Sequence, residues 1–167
     1  NTERVLFDIA AIDKNYPIVI GVSEVETRGV LEDIVATPKL APANYRIAHF
    51  DSPEARGVDV AFLYRPDVFK IEGQYPVKTV IPSLPHFKTR DILTMWGTIE
   101  DEPFFFMVAH WPSRLGGKEA SEFKNKCAVL PTPCYGQIRP PKSLQWETLT
   151  MIRQTRASLK DWVRNSN

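Results

Sequence analysis

His110, Ser113 and Arg114 follow one another within a short segment directly after the apolar run at residues 103–108. An imidazole can donate to a phosphate oxygen or act as a general acid near neutral pH. A hydroxyl and a guanidinium add further hydrogen-bond donors. Because a residue just past a buried strand is held rigidly and can still face a ligand, the segment predicts phosphate-binding chemistry. A structural hydrogen bond from His110 is the alternative.

Two further charged residues stand beside predicted strands. Glu24 follows the β-branched run at residues 18–22, so its carboxylate is expected at the end of that strand. A carboxylate there suits Mg²⁺, which keeps several waters and takes its remaining ligands from phosphate. The alternative for Glu24 is a surface carboxylate that leads into the next helix. Arg90 precedes the strand predicted at residues 92–99, either as a phosphate contact or as an ordinary charge at a strand end.

Asp59 interrupts the otherwise apolar strand predicted at residues 58–64. A carboxylate in such a strand needs a hydrogen-bond or ionic partner. One candidate is His110, whose imidazole Asp59 would orient through a hydrogen bond. Arg56 or Arg65 could instead form a structural ion pair with it.

The elements that must position these residues run from helices to strands along the chain. Helices are predicted from the N-terminus to about residue 15, over residues 28–35 and over residues 144–163. Strands are predicted at residues 18–22, 45–50, 58–64, 77–81, 92–99 and 104–109. The proline-rich residues 115–143 are predicted to form a long loop. This order favours a layered α/β or α+β domain.

The composition limits the classes of partner. The 167 residues suit one domain, and the apolar fraction of 43% can build a core. A net charge of +1 gives no overall attraction to nucleic acid or an anionic membrane, so affinity for phosphate must be local. No apolar run approaches the roughly 20 residues of a membrane span. A first residue that is Asn1 rather than Met indicates either processing or a trimmed sequence. The localisation stays open, and a secreted or periplasmic protein is weakly favoured.

Cys127 and Cys134 lie close together in the proline-rich stretch. A small disulfide loop is feasible in an oxidising compartment, and two unrelated thiols fit the sequence equally well.

Four segments in this order resemble the endonuclease/exonuclease/phosphatase superfamily, the fold relatives of deoxyribonuclease I, and in particular its bacterial members. They read IVIGVSEVETRGVLE from residue 18, RGVDVAFLYRP from residue 56, TRDIL from residue 89 and VAHWPSRLGG from residue 108. The resemblance implies a four-layer sandwich in which two packed β-sheets are flanked by helices. It also implies hydrolysis of phosphodiesters or phosphomonoesters with Mg²⁺ or Mn²⁺. Glu24 would be the metal ligand, His110 the phosphate contact, and Arg90 a further contact to substrate phosphate.

The sequence also differs from the pattern of the superfamily. Relatives carry an early strand with an active-site Asn, a Gly-Asp-x-Asn motif and a late Asp/Ser-His pair whose histidine activates water, and these 167 residues contain none of them. We therefore expect residues 1–167 to form one incomplete domain that hydrolyses nucleic acid or a small phosphoester weakly or not at all. The alternative is a non-catalytic module that binds phosphate or a partner. An incomplete sheet would also invite pairing with a second copy of the chain.

Overall fold

A computed structural model of the chain describes residues 16–52, 57–78, 86, 88–111, 117–119 and 122. These residues contain the strands β1 (Val19–Val25), β2 (Arg46–His49), β3 (Asp59–Tyr64), β4 (Phe69–Val77), β5 (Ile92–Ile99) and β6 (Glu102–Val108), the helix α1 (Arg28–Val35) and a 3₁₀ turn (Ala41–Ala43).

The strands form two antiparallel sheets of three strands each. The first sheet has the order β1-β3-β2 and the second has the order β4-β5-β6. In the described part of the chain no helix is long and apolar enough to cross a membrane.

The first sheet packs on both of its faces, which explains why every residue of its central strand β3 is buried. One face carries Val22 and Leu63 against Leu31 of α1. Thr27 caps that helix by accepting a 3.4 Å hydrogen bond from the Val30 amide. The resulting helix-on-sheet layer holds the C-terminal end of β1 in place.

The other face of the first sheet packs against the second sheet. Phe62 of β3 meets Phe106 of β6 edge to face, with ring centroids 6.4 Å apart, and Met95 of β5 is fully buried in the same cluster. Odd-numbered residues of β6, such as Phe105, point to the outer face of the second sheet. The described layers are thus helix, sheet and sheet, consistent with a partial deoxyribonuclease I-like sandwich.

The bounds predicted for α1 and β5, residues 28–35 and 92–99, are confirmed, whereas β4 was not predicted. Its sequence contains Gly73 and Pro76, which commonly interrupt strands; β4 tolerates Pro76 because, among the described strands, it pairs with β5 alone. The strand predicted at residues 77–81 begins where β4 ends, and residues 79–81 lie outside the described part.

The prediction of one continuous loop over residues 115–143 is wrong at residues 117–119 and 122, which are helical. The remainder of that range, with Cys127 and Cys134, lies outside the described residues. So do the helices predicted before residue 15 and over residues 144–163.

Candidate active site

The topology brings four of the predicted site residues, Glu24, Asp59, Arg90 and His110, to one edge of the described part of the molecule. Because β1 and β3 are antiparallel, the end of β1 lies beside the start of β3, with Val25 opposite Asp59. In the second sheet the start of β5 lies beside the end of β6. Arg90 connects the two sheets at this edge, since its Nε donates a 2.6 Å hydrogen bond to the carbonyl of Val58.

Glu24 sits on a β-bulge. The pairing register of β1 shifts between Ser23 and Val25, and Glu24 has a φ of 63°. Val25 consequently packs in the same cluster as Val22, although strict alternation would direct it to the opposite face. A left-handed conformation costs a residue with a side chain about 1–3 kcal/mol, and bulges commonly re-aim a side chain beside an active site. The bulge removes Glu24 from the face packed against α1 and leaves its side chain 57% exposed.

Glu24 and His110 are neighbours across the two sheets. Oε1 of Glu24 lies 3.8 Å from Nε2 of His110, whose side chain is 21% exposed. This separation exceeds hydrogen-bond length, so the two groups stand side by side at the surface. A carboxylate oxygen and an imidazole N–H so placed could contact a cation and a phosphate oxygen of the same ligand.

Asp59 has different partners from those expected. It is 5% exposed, and its Oδ1 accepts hydrogen bonds from the Ser52 amide, at 3.1 Å, and from the Ser52 hydroxyl. Its Oδ2 lies 3.5 Å from Nε2 of His49. Arg65 instead pairs with Asp67 at 2.6 Å, and Arg56 lies outside the described residues. In the described residues Asp59 thus contacts Ser52 and His49 rather than His110 or Arg65, because the chain after β2 folds back over the start of β3. The pairing with Arg56 stays a prediction.

Arg90 and Asp91 are buried where β5 begins, at 3% and 9% exposure. Burial raises the pKa of Asp91; the charge of Asp59 adds to this rise and that of Lys78 opposes it. Arg90 contributes its Nε to the sheet connection described above, and its contact with phosphate stays a prediction. Ser113 and Arg114 lie outside the described residues, so their predicted phosphate contacts stay predictions as well.

His49 and Asp51 were not predicted as site residues. Together with Asp59 they form a group whose ligand atoms all lie within 4.8 Å of one another, close enough to hold a metal ion. The sequence signal is the His49-Phe50-Asp51 spacing at the end of a strand. That spacing indicates a metal site only once β3 is known to pair with β2, because β3 brings Asp59 to the same place.

The sequence profile of the Endonuclease/Exonuclease/phosphatase family matches residues 1–133. The chain belongs to this family. No curated protein matches the chain significantly.

Solved structures with the family's fold match the chain at low sequence identity. TDP2 from D. rerio, complexed with a single-strand DNA product, matches with a TM-score of 0.56 and 15% identity over 89% of this chain and 50% of that one. A family protein from Leptotrichia buccalis matches with a TM-score of 0.55 and 14% identity, and the match covers 83% of this chain and 55% of that one. The human Nocturnin catalytic domain with a bound sulfate anion matches with a TM-score of 0.54 and 16% identity, and the match covers 77% of this chain and 49% of that one. This family member thus shares their fold and spans about half the length of each.

Proposed function

We propose that this family member acts on phosphoesters with the help of a divalent cation, Mg²⁺ or Mn²⁺. The observation that carries the proposal is the Glu24–His110 pair, which two different sheets bring to within 3.8 Å of each other. The strained, exposed backbone position of Glu24 adds support, since strain of this kind clusters at functional sites.

The residues present fit a hard cation. Glu24 offers an exposed carboxylate, the donor type that Mg²⁺ prefers, and its exposure leaves room for waters and phosphate oxygens as further ligands. A bound Mg²⁺ or Mn²⁺ would neutralise phosphate charge and stabilise the leaving oxygen.

The protein groups around the cation would bind and orient the phosphate. His110 is placed to donate from Nε2 to a non-bridging oxygen, which stabilises charge that develops in the transition state. Arg90, Ser113 and Arg114 are proposed as additional phosphate contacts. Asp59, for which His110 is one of the predicted partners, instead accepts the Ser52 hydrogen bonds that fix the chain beside the site.

The family and the structural neighbours support the proposed class of substrate. D. rerio TDP2 was crystallised with a single-strand DNA product, and ANGEL2, with a TM-score of 0.52 and 16% identity, is described as a 2',3'-cyclic phosphatase. These names concern those proteins. For this chain they support a nucleic acid or a small phosphoester as substrate.

We expect the chain of 167 residues to turn over substrate slowly or not at all. It contains neither the Gly-Asp-x-Asn motif of relatives nor their Asp/Ser-His pair, whose histidine the resemblance associates with water activation. A chromogenic phosphodiester with Mg²⁺ measures this directly. Rapid hydrolysis that Glu24→Gln abolishes would show that residues of this chain supply the missing base.

Calorimetry with Mg²⁺ and a short oligonucleotide tests the proposal itself. We expect the cation to increase oligonucleotide affinity in the wild type, and Glu24→Gln to remove this increase. Glu26→Gln is the matched control, because Glu26 is an exposed carboxylate two residues further along. If neither cation nor oligonucleotide binds, the proposal fails and a non-catalytic partner-binding module becomes the better account.

A further inference from the structure

Three potential metal ligands converge at the end of the first sheet, apart from the Glu24–His110 pair. His49 closes β2, Asp51 follows two residues later, and Asp59 opens β3. Because β2 and β3 are antiparallel with His49 opposite Ala61, the chain beyond His49 continues towards Asp59. The ligand atoms of the three residues all lie within 4.8 Å of one another.

The buried imidazole of His49 lacks a hydrogen bond at one nitrogen. Its side chain is 5% exposed, and its Nε2 has no hydrogen-bond partner among the described residues. Buried polar atoms in native proteins almost always have such a partner. The nearest acidic atom is Oδ2 of Asp59 at 3.5 Å, which lies beyond ordinary hydrogen-bond length. A cation between Nε2 and Oδ2 would give both atoms a partner.

The spacing fits a coordinated ion. With metal–ligand distances of about 2.1 Å, two ligands of a tetrahedral site lie about 3.4 Å apart. The separation of His49 Nε2 and Asp59 Oδ2 is 3.5 Å. Oδ1 of Asp59 is held by Ser52, which fixes the carboxylate with Oδ2 directed at the histidine. Asp51 is exposed and completes the group from the solvent side.

We propose that His49, Asp51 and Asp59 bind a divalent transition-metal ion, with Zn²⁺ preferred to Mn²⁺ and Mn²⁺ to Mg²⁺. An imidazole nitrogen with two carboxylates suits these ions better than Mg²⁺, which favours oxygen ligands alone. The ion would join the end of β2 to the start of β3. The exposure of Asp51 leaves a coordination position for water.

This site is separate from the one proposed for phosphoester chemistry. It uses neither Glu24 nor His110, so it stands whether or not the chain acts on phosphoesters. It also gives Asp59, a buried carboxylate, a role other than the predicted orientation of His110.

The test is a titration of the metal-free full chain with Zn²⁺ by calorimetry, followed by Co²⁺ substitution and visible spectroscopy. Cys127 and Cys134 are replaced by serine in every variant, so that thiolates cannot bind the metal. We expect one tight Zn²⁺ per chain, and more than about tenfold weaker binding in both His49→Gln and Asp51→Asn. Glu24→Gln and Asp33→Asn, which changes an exposed carboxylate of α1, are expected to retain it.

Circular dichroism verifies that each variant is folded; if His49→Gln does not fold, the exposed Asp51→Asn decides the result. A Co²⁺ absorption band that depends on His49 would support nitrogen ligation. Two results would overturn the proposal. One is the absence of tight Zn²⁺ binding by the metal-free chain. The other is Zn²⁺ binding that Glu24→Gln removes and Asp51→Asn does not change.

Discussion

Glu24 combines an exposed carboxylate with a backbone conformation that its side chain disfavours. A glycine would adopt the same φ of 63° without steric cost. The protein thus keeps a glutamate where the backbone alone would favour glycine. This is the pattern expected of a residue retained for binding at some expense of stability.

Replacing Glu24 with glycine and with alanine separates strain from chemistry. We expect Glu24→Gly to unfold with a free energy about 1 kcal/mol higher than Glu24→Ala, because alanine retains the strained left-handed conformation. Both variants should lose cation-dependent oligonucleotide binding. Denaturant unfolding measures the difference. Equal stability of the two variants would show that Glu24 is not strained in solution.

Asp91 makes the stability of the fold depend on pH. Burial raises the pKa of this carboxyl, so the native state holds its proton more tightly than the unfolded state. Stability contributed by this group is therefore lost as pH rises from about 3.9 through the raised pKa. We expect Asp91→Asn to have a higher Tm than the wild type at pH 7 and to lose this advantage below about pH 3.9. Asp33→Asn, on the exposed side of α1, serves as the control. A Tm difference between Asp91→Asn and the wild type that does not change with pH would contradict a raised pKa of Asp91.

The sequence singles out Glu24 and His110 but does not predict which side chains contact Asp59. Glu24 and His110 were each selected from a position after an apolar run, and the structure places them side by side. The sequence does not predict His49 and Ser52 as partners of Asp59, because the alternation of apolar residues marks each strand but not which strands pair. Only the pairing of β2 with β3 brings them to the carboxylate.

At the scale of elements, shifts in the pairing register of the strands affect both sheets. The shift in β1 re-aims Glu24, and a second shift between Ile71 and Gly73 lies in the pairing of β4 with β5. A Cβ built on Gly97 of β5 would lie 2.1 Å from the Lys70 carbonyl oxygen, so the two backbones approach too closely for a side chain.

We expect Gly97→Ala to destabilise the protein by about 1–3 kcal/mol, since the collision is with backbone that cannot rotate away. Gly29→Ala is the matched control: its Cβ would meet only the hydroxyl oxygen of the cap residue Thr27, at 3.7 Å, and the exchange should stabilise α1 by about 0.5–1 kcal/mol. Thermal unfolding of both variants compares the two effects. A neutral Gly97→Ala would mean that β4 and β5 are less closely paired than described.

The sequence predicted elements where one periodicity dominates and missed them where it is broken. The apolar runs of β5 and the amphipathic stripe of α1 were assigned at their observed bounds. β4 mixes polar and apolar residues with Gly73 and Pro76, so its local pattern favours a loop; pairing with β5 overrides that preference. The bulge at Glu24 leaves no sequence signature, because only the pairing of β1 with β3 shows the shift in register.

At the scale of the whole molecule, the candidate site exists only where the two sheets pack together. Glu24 belongs to the first sheet and His110 follows the last strand of the second. The aromatic cluster between the sheets, which includes Phe62 and Phe106, sets their distance. The central claim is therefore that this packing places a cation held by Glu24 beside a phosphate contacted by His110.

Phosphorus NMR of a dinucleotide titrated with Mn²⁺ tests this claim most directly, because a protein-bound Mn²⁺ broadens the phosphorus resonance only when the phosphate lies close to it. We predict protein-dependent broadening in the wild type that is lost in Glu24→Gln, reduced in His110→Gln, and retained in both Glu26→Gln and Asp51→Asn. Broadening that persists in Glu24→Gln, or none in the wild type, would contradict the account.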